Sequence, residues 1–189
     1  MKKMARALQP PLHLFDYLKF EDGSTTRHEY VGGRIHAMTG GTLRHNRISG
    51  NVFRLLSDRF DGTPCQVFMN DVKLHVQAAD SVYYPDVLVY CGSSVADGEK
   101  MVHDALLIVE VVSESTAGID RREKCVAYQR LPGLRAYWIV SQTERHVELH
   151  ERDATGTWTA RDLTASDALP VVDSDPLPLE RLYAGTDIA

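Results

Sequence analysis

The sequence predicts an α/β fold with a mixed β-sheet in a single domain. The chain has 189 residues, of which 43% are hydrophobic and 25% are charged, and this is typical of one soluble globular domain. The apolar patterns indicate the order helix, hairpin, helix, strands, helix, strands, which differs from a regular βαβ repeat. We therefore expect one domain over residues 1–189, with a loose tail at 1–10 and a surface extension at 165–189.

The first half of the chain is predicted to contain two helices and a hairpin. A short helix is expected over residues 12–20. The segment HEYVGGRIHAM places Gly32 and Gly33 between two short alternating runs, which is typical of a β-hairpin. Thr42 is predicted to cap a helix over about 43–60, because apolar residues recur there near helical spacing.

The second half of the chain is predicted to be mostly strands with one further helix. Asp120 is expected to begin that helix, which would end near Leu131 before Pro132 and carry Lys124 in about its first turn. The predicted strands are the apolar segments CQVFM, VKLHV, DVLVY, ALLIVEVV, AYWIV, HVELHE and TWTA.

The charge and the cysteine content bear on whether the protein binds nucleic acid, contains a disulfide framework or holds a zinc ribbon. The net charge is −5, whereas a general nucleic-acid binder is usually basic. Basic residues nevertheless cluster in 44–59 and 121–135, either as solvated helix faces or as local contacts to nucleic acid. Cys65, Cys91 and Cys125 form no C-x-x-C pair, so we expect no disulfide framework or zinc ribbon, and the last two should pack as small apolar residues.

Targeting signals are not evident in the sequence. No stretch approaches the roughly 18 apolar residues that a membrane span needs. The first residues, MKKMARALQPPLHLF, are basic but lack the apolar run of a signal peptide. We therefore expect a cytoplasmic protein.

One carboxylate lies inside an otherwise apolar predicted strand. Glu110 is in the segment ALLIVEVV, and a buried unpaired charge costs several kcal/mol. Asp86 opens the preceding strand, and neighbouring strands lie about 4.8 Å apart. The two carboxylates could therefore share a hard divalent cation such as Mg²⁺. The alternative is a structural ion pair between Glu110 and Lys124 or an arginine.

The helix after this strand could complete a site for phosphodiester chemistry. Lys124 could orient or activate a water, or stabilise developing negative charge. Tyr128 lies one turn further on the same face and is a supporting residue. Together with a shared cation, this set suits metal-assisted attack on a phosphodiester.

Three segments stand out: YYPDVLVYCG, LLIVEVVSESTAGIDRREKCVAYQRLPGLRAYWIV and HEYVGGRIHAMTGGTLRHNRI. Together they resemble the Uma-type restriction endonuclease family within the PD-(D/E)XK nuclease superfamily. These are bacterial proteins formerly known only as a domain of unknown function. The resemblance covers about residues 12–160. Its specific part is the ordered series of Pro-Asp, an apolar strand with Glu, Ser-x-Ser-Thr, Asp-x-x-x-Lys and Tyr.

The resemblance implies a restriction-endonuclease-like fold, a central mixed sheet flanked by helices, and an endonuclease that cuts DNA with Mg²⁺, or with Mn²⁺ in its place. It implies Asp86, Glu110 and the backbone carbonyl of Val111 as metal ligands. The superfamily's usual lysine position, two residues after the acidic residue, is Val112 here. In the family that lysine lies in the following helix, where Lys124 stands.

Two more positions match the family. Glu29 matches an early acidic residue that would orient a water or a second metal ion, and His45 matches an early histidine that faces the site. The alternatives are a charged hairpin edge and a helix-start residue. Related nucleases often cut both strands as pairs of subunits, so we expect a homodimer. The alternative function is a non-catalytic binding or regulatory protein of the same fold, which the net charge of −5 favours.

Overall fold

The structure is a computed structural model and describes residues 11–93, 95–112 and 117–188, without the side chains of 117–121. The expected tail at 1–10 and the Ser-x-Ser-Thr motif at 113–116 lie outside the described residues. The helices are α1 (Leu14–Asp22), α2 (Leu43–Phe60) and α3 (Ala117–Tyr128), with short 3-10 helices at Gln77–Ala79 and Leu179–Tyr183. The strands are β1 (His28–Val31), β2 (Arg34–Ala37), β3 (Gln66–Met69), β4 (Lys73–Val76), β5 (Ser81–Tyr83), β6 (Val87–Tyr90), β7 (Met101–Val102), β8 (Leu107–Val112), β9 (Ala136–Ser141), β10 (His146–Arg152), β11 (Trp158–Thr164), β12 (Ala168–Val171) and β13 (Ser174–Pro178).

The predicted α/β class is confirmed, but two mixed sheets form the framework where the sequence predicted one. The larger sheet has the strand order β11-β10-β9-β8-β6-β3, in which β8 and β9 are parallel. The smaller sheet has the order β2-β1-β5-β4-β7, in which β4 and β7 are parallel. β12 and β13 form a separate antiparallel pair. Among the described residues, no helix is long and apolar enough to span a membrane.

The register between β6 and β8 places two acidic residues together. Val87 lies opposite Val109, so Asp86 comes opposite Glu110 one step beyond the last paired residues. Directly opposed residues in an antiparallel pair have side chains on the same face. The two carboxylates therefore share the face of the larger sheet that turns towards α3.

Three apolar clusters hold the elements together. The first packs α2 and the C-terminal segment on one face of the larger sheet. The second fills the space between the other face, the smaller sheet and α3. The third packs α1 on the smaller sheet. Representative buried members are Ile48, Leu56, Trp138 and Leu182 in the first, Leu74, Tyr83, Ile108 and Tyr128 in the second, and Tyr17, Tyr30 and Val82 in the third.

Helix α2 has the predicted bounds and the predicted cap. The Thr42 hydroxyl accepts a hydrogen bond from the backbone N–H of His45 at 3.1 Å, which satisfies one free donor of the first turn. The predicted hairpin is also present, with Gly32 and Gly33 at positive φ between β1 and β2. Both elements follow local sequence signals. The start of α2 determines the position of His45.

Helix α3 begins at Ala117, three residues before the predicted start at Asp120. An acidic residue is as favourable in the first turn of a helix as at its cap, because both positions face the free N–H groups. Lys124 therefore lies two turns into the helix rather than in its first turn. The helix ends at Tyr128, a little before the expected Leu131.

The expectation about cysteines was wrong for one pair. Cys65 and Cys91 form a disulfide across β3 and β6. The register explains the pairing, because Gln66 lies opposite Tyr90 and the two cysteines flank this pair on facing strands. Cys125 is a free, partly buried thiol.

The surface extension expected at 165–189 is instead part of the core. It forms β12, β13 and the second 3-10 helix, and Leu169, Leu177 and Leu182 are buried in the cluster that also contains residues of α2. Asn51 of α2 donates hydrogen bonds to the carbonyl of Leu182 at 3.0 Å and to that of Ala184 at 2.9 Å. The acidic, proline-containing composition of the segment had favoured a surface position.

Candidate active site

A cleft of about 560 Å³ opens where the ends of β6 and β8 meet the first turn of α2. Five of the residues singled out in the sequence line it: His45, Asp86, Glu110, Val111 and Lys124. Glu29, from β1 of the smaller sheet, contacts Lys124 at the same place. The structure thus brings together all six residues, which come from five separate elements or strand ends.

Asp86 is held in place from two sides. Its Oδ2 accepts a hydrogen bond of 2.7 Å from the backbone N–H of Val111 and lies 3.2 Å from Nε2 of His45. The hydrogen bond to Asp86 raises the pKa of His45, against the opposing effect of burial. The cationic form of the imidazole is therefore favoured beside this carboxylate.

Lys124 lies between two carboxylates from different sheets. Its Nζ is 2.7 Å from Oε1 of Glu29 and 3.2 Å from Oε1 of Glu110. The Tyr128 hydroxyl donates a hydrogen bond of 2.7 Å to the same Glu110 oxygen. The lysine and glutamate side chains are only 12% and 10% exposed, so little water screens these contacts.

Burial and crowding change the proton affinity of this pair. Burial raises the pKa of Glu110 to about 7, with further upward contributions from Asp86 and Glu29, while Lys124 and Tyr128 act in the opposite direction. Burial alone would lower the pKa of Lys124, but Glu110 and Glu29 outweigh it and raise that pKa. Lys124 therefore stays protonated, and Glu110 binds protons more tightly than an ordinary carboxylate.

The donor set of the cleft fits a hard divalent cation. The oxygen atoms of Asp86 and Glu110 lie on one face, and the Val111 carbonyl points to the same side of its strand as the Val111 N–H that contacts Asp86. Carboxylate and carbonyl oxygens are the ligands that Mg²⁺ prefers, and Mg²⁺ keeps several waters. Within residues 11–93, 95–112 and 117–188, no three His, Cys, Asp or Glu side chains are grouped tightly enough to hold a metal ion. Asp86, Glu110 and the Val111 carbonyl are the atoms that could hold a cation here, together with water.

Among the cleft residues that sequence reasoning missed are Arg27, Asn70, Tyr84 and Gln142. Tyr84 carried a usable signal, because it stands two residues before Asp86. Gln142 also did, because it directly follows β9, which is parallel to β8, so both strands end at the same edge. Arg27 and Asn70 meet through a 2.8 Å hydrogen bond across 43 residues of sequence, and no local pattern reveals such a contact.

Comparisons with known proteins show the family to which this chain is similar. A family model, Uma2, described as "Putative restriction endonuclease", matches residues 14–180. Two uncharacterised proteins of Synechocystis sp. (strain ATCC 27184 / PCC 6803 / Kazusa) are similar to the chain. One is 32% identical over 85% of this chain and 84% of its own length, and the other is 30% identical over 81% and 88%.

A solved structure shares the fold. It is the crystal structure of "a putative nuclease belonging to DUF820" from Anabaena variabilis, which matches with a TM-score of 0.77 over 92% of this chain and 98% of that chain. The two sequences are only 14% identical, so the likeness concerns the fold. It confirms the nuclease-like architecture expected from the sequence.

Proposed function

Because the chain belongs to the Uma2 family, we propose that it is a Mg²⁺-dependent endonuclease that hydrolyses phosphodiester bonds of DNA. One observation carries the proposal: Asp86 and Glu110 lie on one face at the floor of a cleft, with the buried ammonium of Lys124 at 3.2 Å from Glu110. Two carboxylates beside a fixed cationic donor are the arrangement that metal-assisted phosphodiester hydrolysis needs.

Asp86, Glu110 and the Val111 carbonyl would hold the cation. A bound Mg²⁺, with Mn²⁺ as a substitute, supplies Lewis-acid polarisation of the phosphate and a more acidic bound water. Because the pKa of Glu110 is raised to about 7, a proton would compete with the cation for this carboxylate near neutral pH.

Lys124 would act as a cationic hydrogen-bond donor. Its raised pKa excludes it as a general base at neutral pH. Its ammonium group can instead orient the attacking water and stabilise the negative charge that develops on the phosphate. Glu29, at 2.7 Å, forms an ion pair with this ammonium, and the Tyr128 hydroxyl holds Glu110 through a hydrogen bond.

The arginines of 44–59 and 121–135 are candidate contacts to the DNA backbone. Several of them form ion pairs with acidic residues at the surface: Arg44 with Asp187, Arg54 with Asp58, Arg59 with Asp175 and Arg135 with Asp173. Surface pairs contribute only about 0–1 kcal/mol, so phosphate groups can replace the acidic partners at small cost. Arg121 cannot be placed in this way, because its side chain lies outside the described part of the structure.

The test combines metal titration with plasmid nicking on the same samples. Calorimetry with Mg²⁺ and Mn²⁺ on wild type should show binding that Asp86→Ala removes. Nicking should be lost in Asp86→Ala and should fall by about 10²-fold or more in Lys124→Gln, which keeps hydrogen-bond donors but removes the charge. Lys124→Gln should still bind metal.

Lys100→Ala is the matched control, because Lys100 pairs with Asp22 at the surface and its side chain is 67% exposed. This variant should bind metal and nick DNA as wild type does. If the wild-type protein neither binds metal nor nicks duplex, single-stranded or branched DNA, the proposal is contradicted. The alternative function, a non-catalytic binding or regulatory protein, would then be favoured.

Cleavage of both strands would need two sites, so the proposal includes a homodimer. Light scattering coupled to gel filtration, with and without DNA, measures the mass directly. A monomer in both conditions that still makes double-strand breaks in one encounter would contradict this part.

A further inference from the structure

Glu21, at the end of α1, is a buried carboxylate outside the cleft. Its side chain is 3% exposed. Its Oε1 accepts hydrogen bonds from the backbone N–H of His28 at 2.9 Å and from the Tyr84 hydroxyl at 2.8 Å, and its Oε2 lies 3.0 Å from Nδ1 of His28. A carboxylate is costly to bury unless it is hydrogen-bonded, so these contacts hold all three residues in one arrangement.

Both partners of Glu21 are close in sequence to residues of the candidate site. His28 directly precedes Glu29, whose carboxylate pairs with a lysine in the cleft. Tyr84 lies two residues before Asp86, and Pro85 between them has a restricted φ. Little conformational freedom therefore separates the residues that Glu21 binds from the two carboxylates of the site.

α1 also holds His28 through a second side chain. The Tyr17 hydroxyl donates a hydrogen bond of 2.7 Å to the carbonyl of His28. Tyr17 and Glu21 are four residues apart and lie on one face of the helix. Both polar groups of the His28 backbone, and one ring nitrogen, are thus bound by α1.

We propose that Glu21 is a positioning residue of the site. By binding His28 and Tyr84 at once, it sets the separation between the strand that carries Glu29 and the strand end that carries Asp86. The inference rests on the proposed function in taking Glu29 and Asp86 as parts of an active site. The positioning itself is a property of the metal-free protein and can be measured there.

Amide hydrogen exchange in the metal-free protein, read by NMR, tests the positioning. The Val111 amide donates to Oδ2 of Asp86 at 2.7 Å, so its protection reports whether that carboxylate stays in place. Glu21→Ala should speed exchange at Val111 by about tenfold, the equivalent of about one lost hydrogen bond, and leave buried α2 amides such as Leu56 unchanged. Glu21→Gln keeps an acceptor for Tyr84 and should retain most of the protection.

Tyr84→Phe tests the contact of Glu21 with Tyr84 separately from its contacts with His28. It removes the hydrogen bond to the segment of Asp86 but keeps those to His28. Exchange should become faster at Val111, while the His28 amide stays protected. Glu180→Ala is the control, because Glu180 is an exposed carboxylate in the second 3-10 helix, and it should change neither amide.

Nicking gives a second measurement. If wild type nicks DNA, Glu21→Ala should raise the Mg²⁺ concentration for half-maximal nicking by about tenfold, at a temperature where the variant is folded. Absence of nicking in wild type would contradict the proposed function but leave the exchange experiment valid. Unchanged exchange at Val111 in folded Glu21→Ala, or faster exchange throughout α2 and the core strands, would overturn the positioning role.

Discussion

At the scale of single residues, Glu110 shows how a charge is accommodated in a buried strand. Its oxygen accepts from the Tyr128 hydroxyl at 2.7 Å and faces Lys124 at 3.2 Å. Asp86 and Glu29 nearby repel it, and with burial they raise its pKa to about 7. The structural ion pair and the metal site that the sequence left as alternatives are therefore both compatible with one geometry, because the lysine neutralises only part of the local negative charge.

The pH dependence of stability follows from this pKa. In the metal-free protein the folded state holds the Glu110 proton up to about pH 7, whereas the usual value is 4.5. The free energy of unfolding should therefore fall as pH rises from about 4.5 to 7 and stay lower above that, because the unfolded state releases its proton first. Thermal melts in a chelator should show this fall in stability. In Glu110→Gln, stability should no longer fall for this reason between about pH 4.5 and 7.

Saturating Mg²⁺ offers a further check on the same residue. A cation that binds the deprotonated carboxylate should stabilise wild type more at pH 8 than at pH 5.5. Identical pH slopes for wild type and Glu110→Gln in the chelator would show that Glu110 titrates normally and would contradict the argument.

At the scale of elements, local signals predicted α2 and the first hairpin well. A cap, an apolar face and a stop signal all lie within the segment that becomes α2, and Gly32 and Gly33 supply the positive φ of the hairpin turn. β5 and β7 were missed, since they have only three and two residues. Strands this short form because a neighbouring strand is in place, and no pattern of their own predicts them.

The cap of α2 is a testable part of this account. The Thr42 hydroxyl accepts from the N–H of His45 and donates to the side chain of Gln142 at 2.9 Å. Thr42→Ala should therefore lower the free energy of unfolding by about 1 kcal/mol. Thr42→Ser keeps the hydroxyl and is the matched control. Equal urea midpoints for the two variants would show that the cap does not stabilise the helix.

At the scale of the whole molecule, the candidate site is made by long-range contacts. Strand spacing and the position of the following helix already predicted that Asp86, Glu110 and Lys124 meet. The family resemblance then added Glu29, His45 and the Val111 carbonyl. The pairing of Lys124 with Glu29 depends on how the smaller sheet packs against α3, which no local pattern specifies. The C-terminal segment was missed for the same reason, because its leucines are buried only once α2 and the larger sheet are in place.

The C-terminal segment gives the last prediction. Leu182 is fully buried in the cluster that contains α2, whereas Leu43 at the start of α2 is 91% exposed. If the segment is part of the core, Leu182→Ala should cost about 2–5 kcal/mol, from lost burial and the cavity left behind. Leu43→Ala should stay within about 0.5 kcal/mol of wild type. Urea unfolding of both variants measures the difference. A surface extension would instead give two small and similar effects, and α2, which carries His45 into the cleft, would then be held by the larger sheet alone.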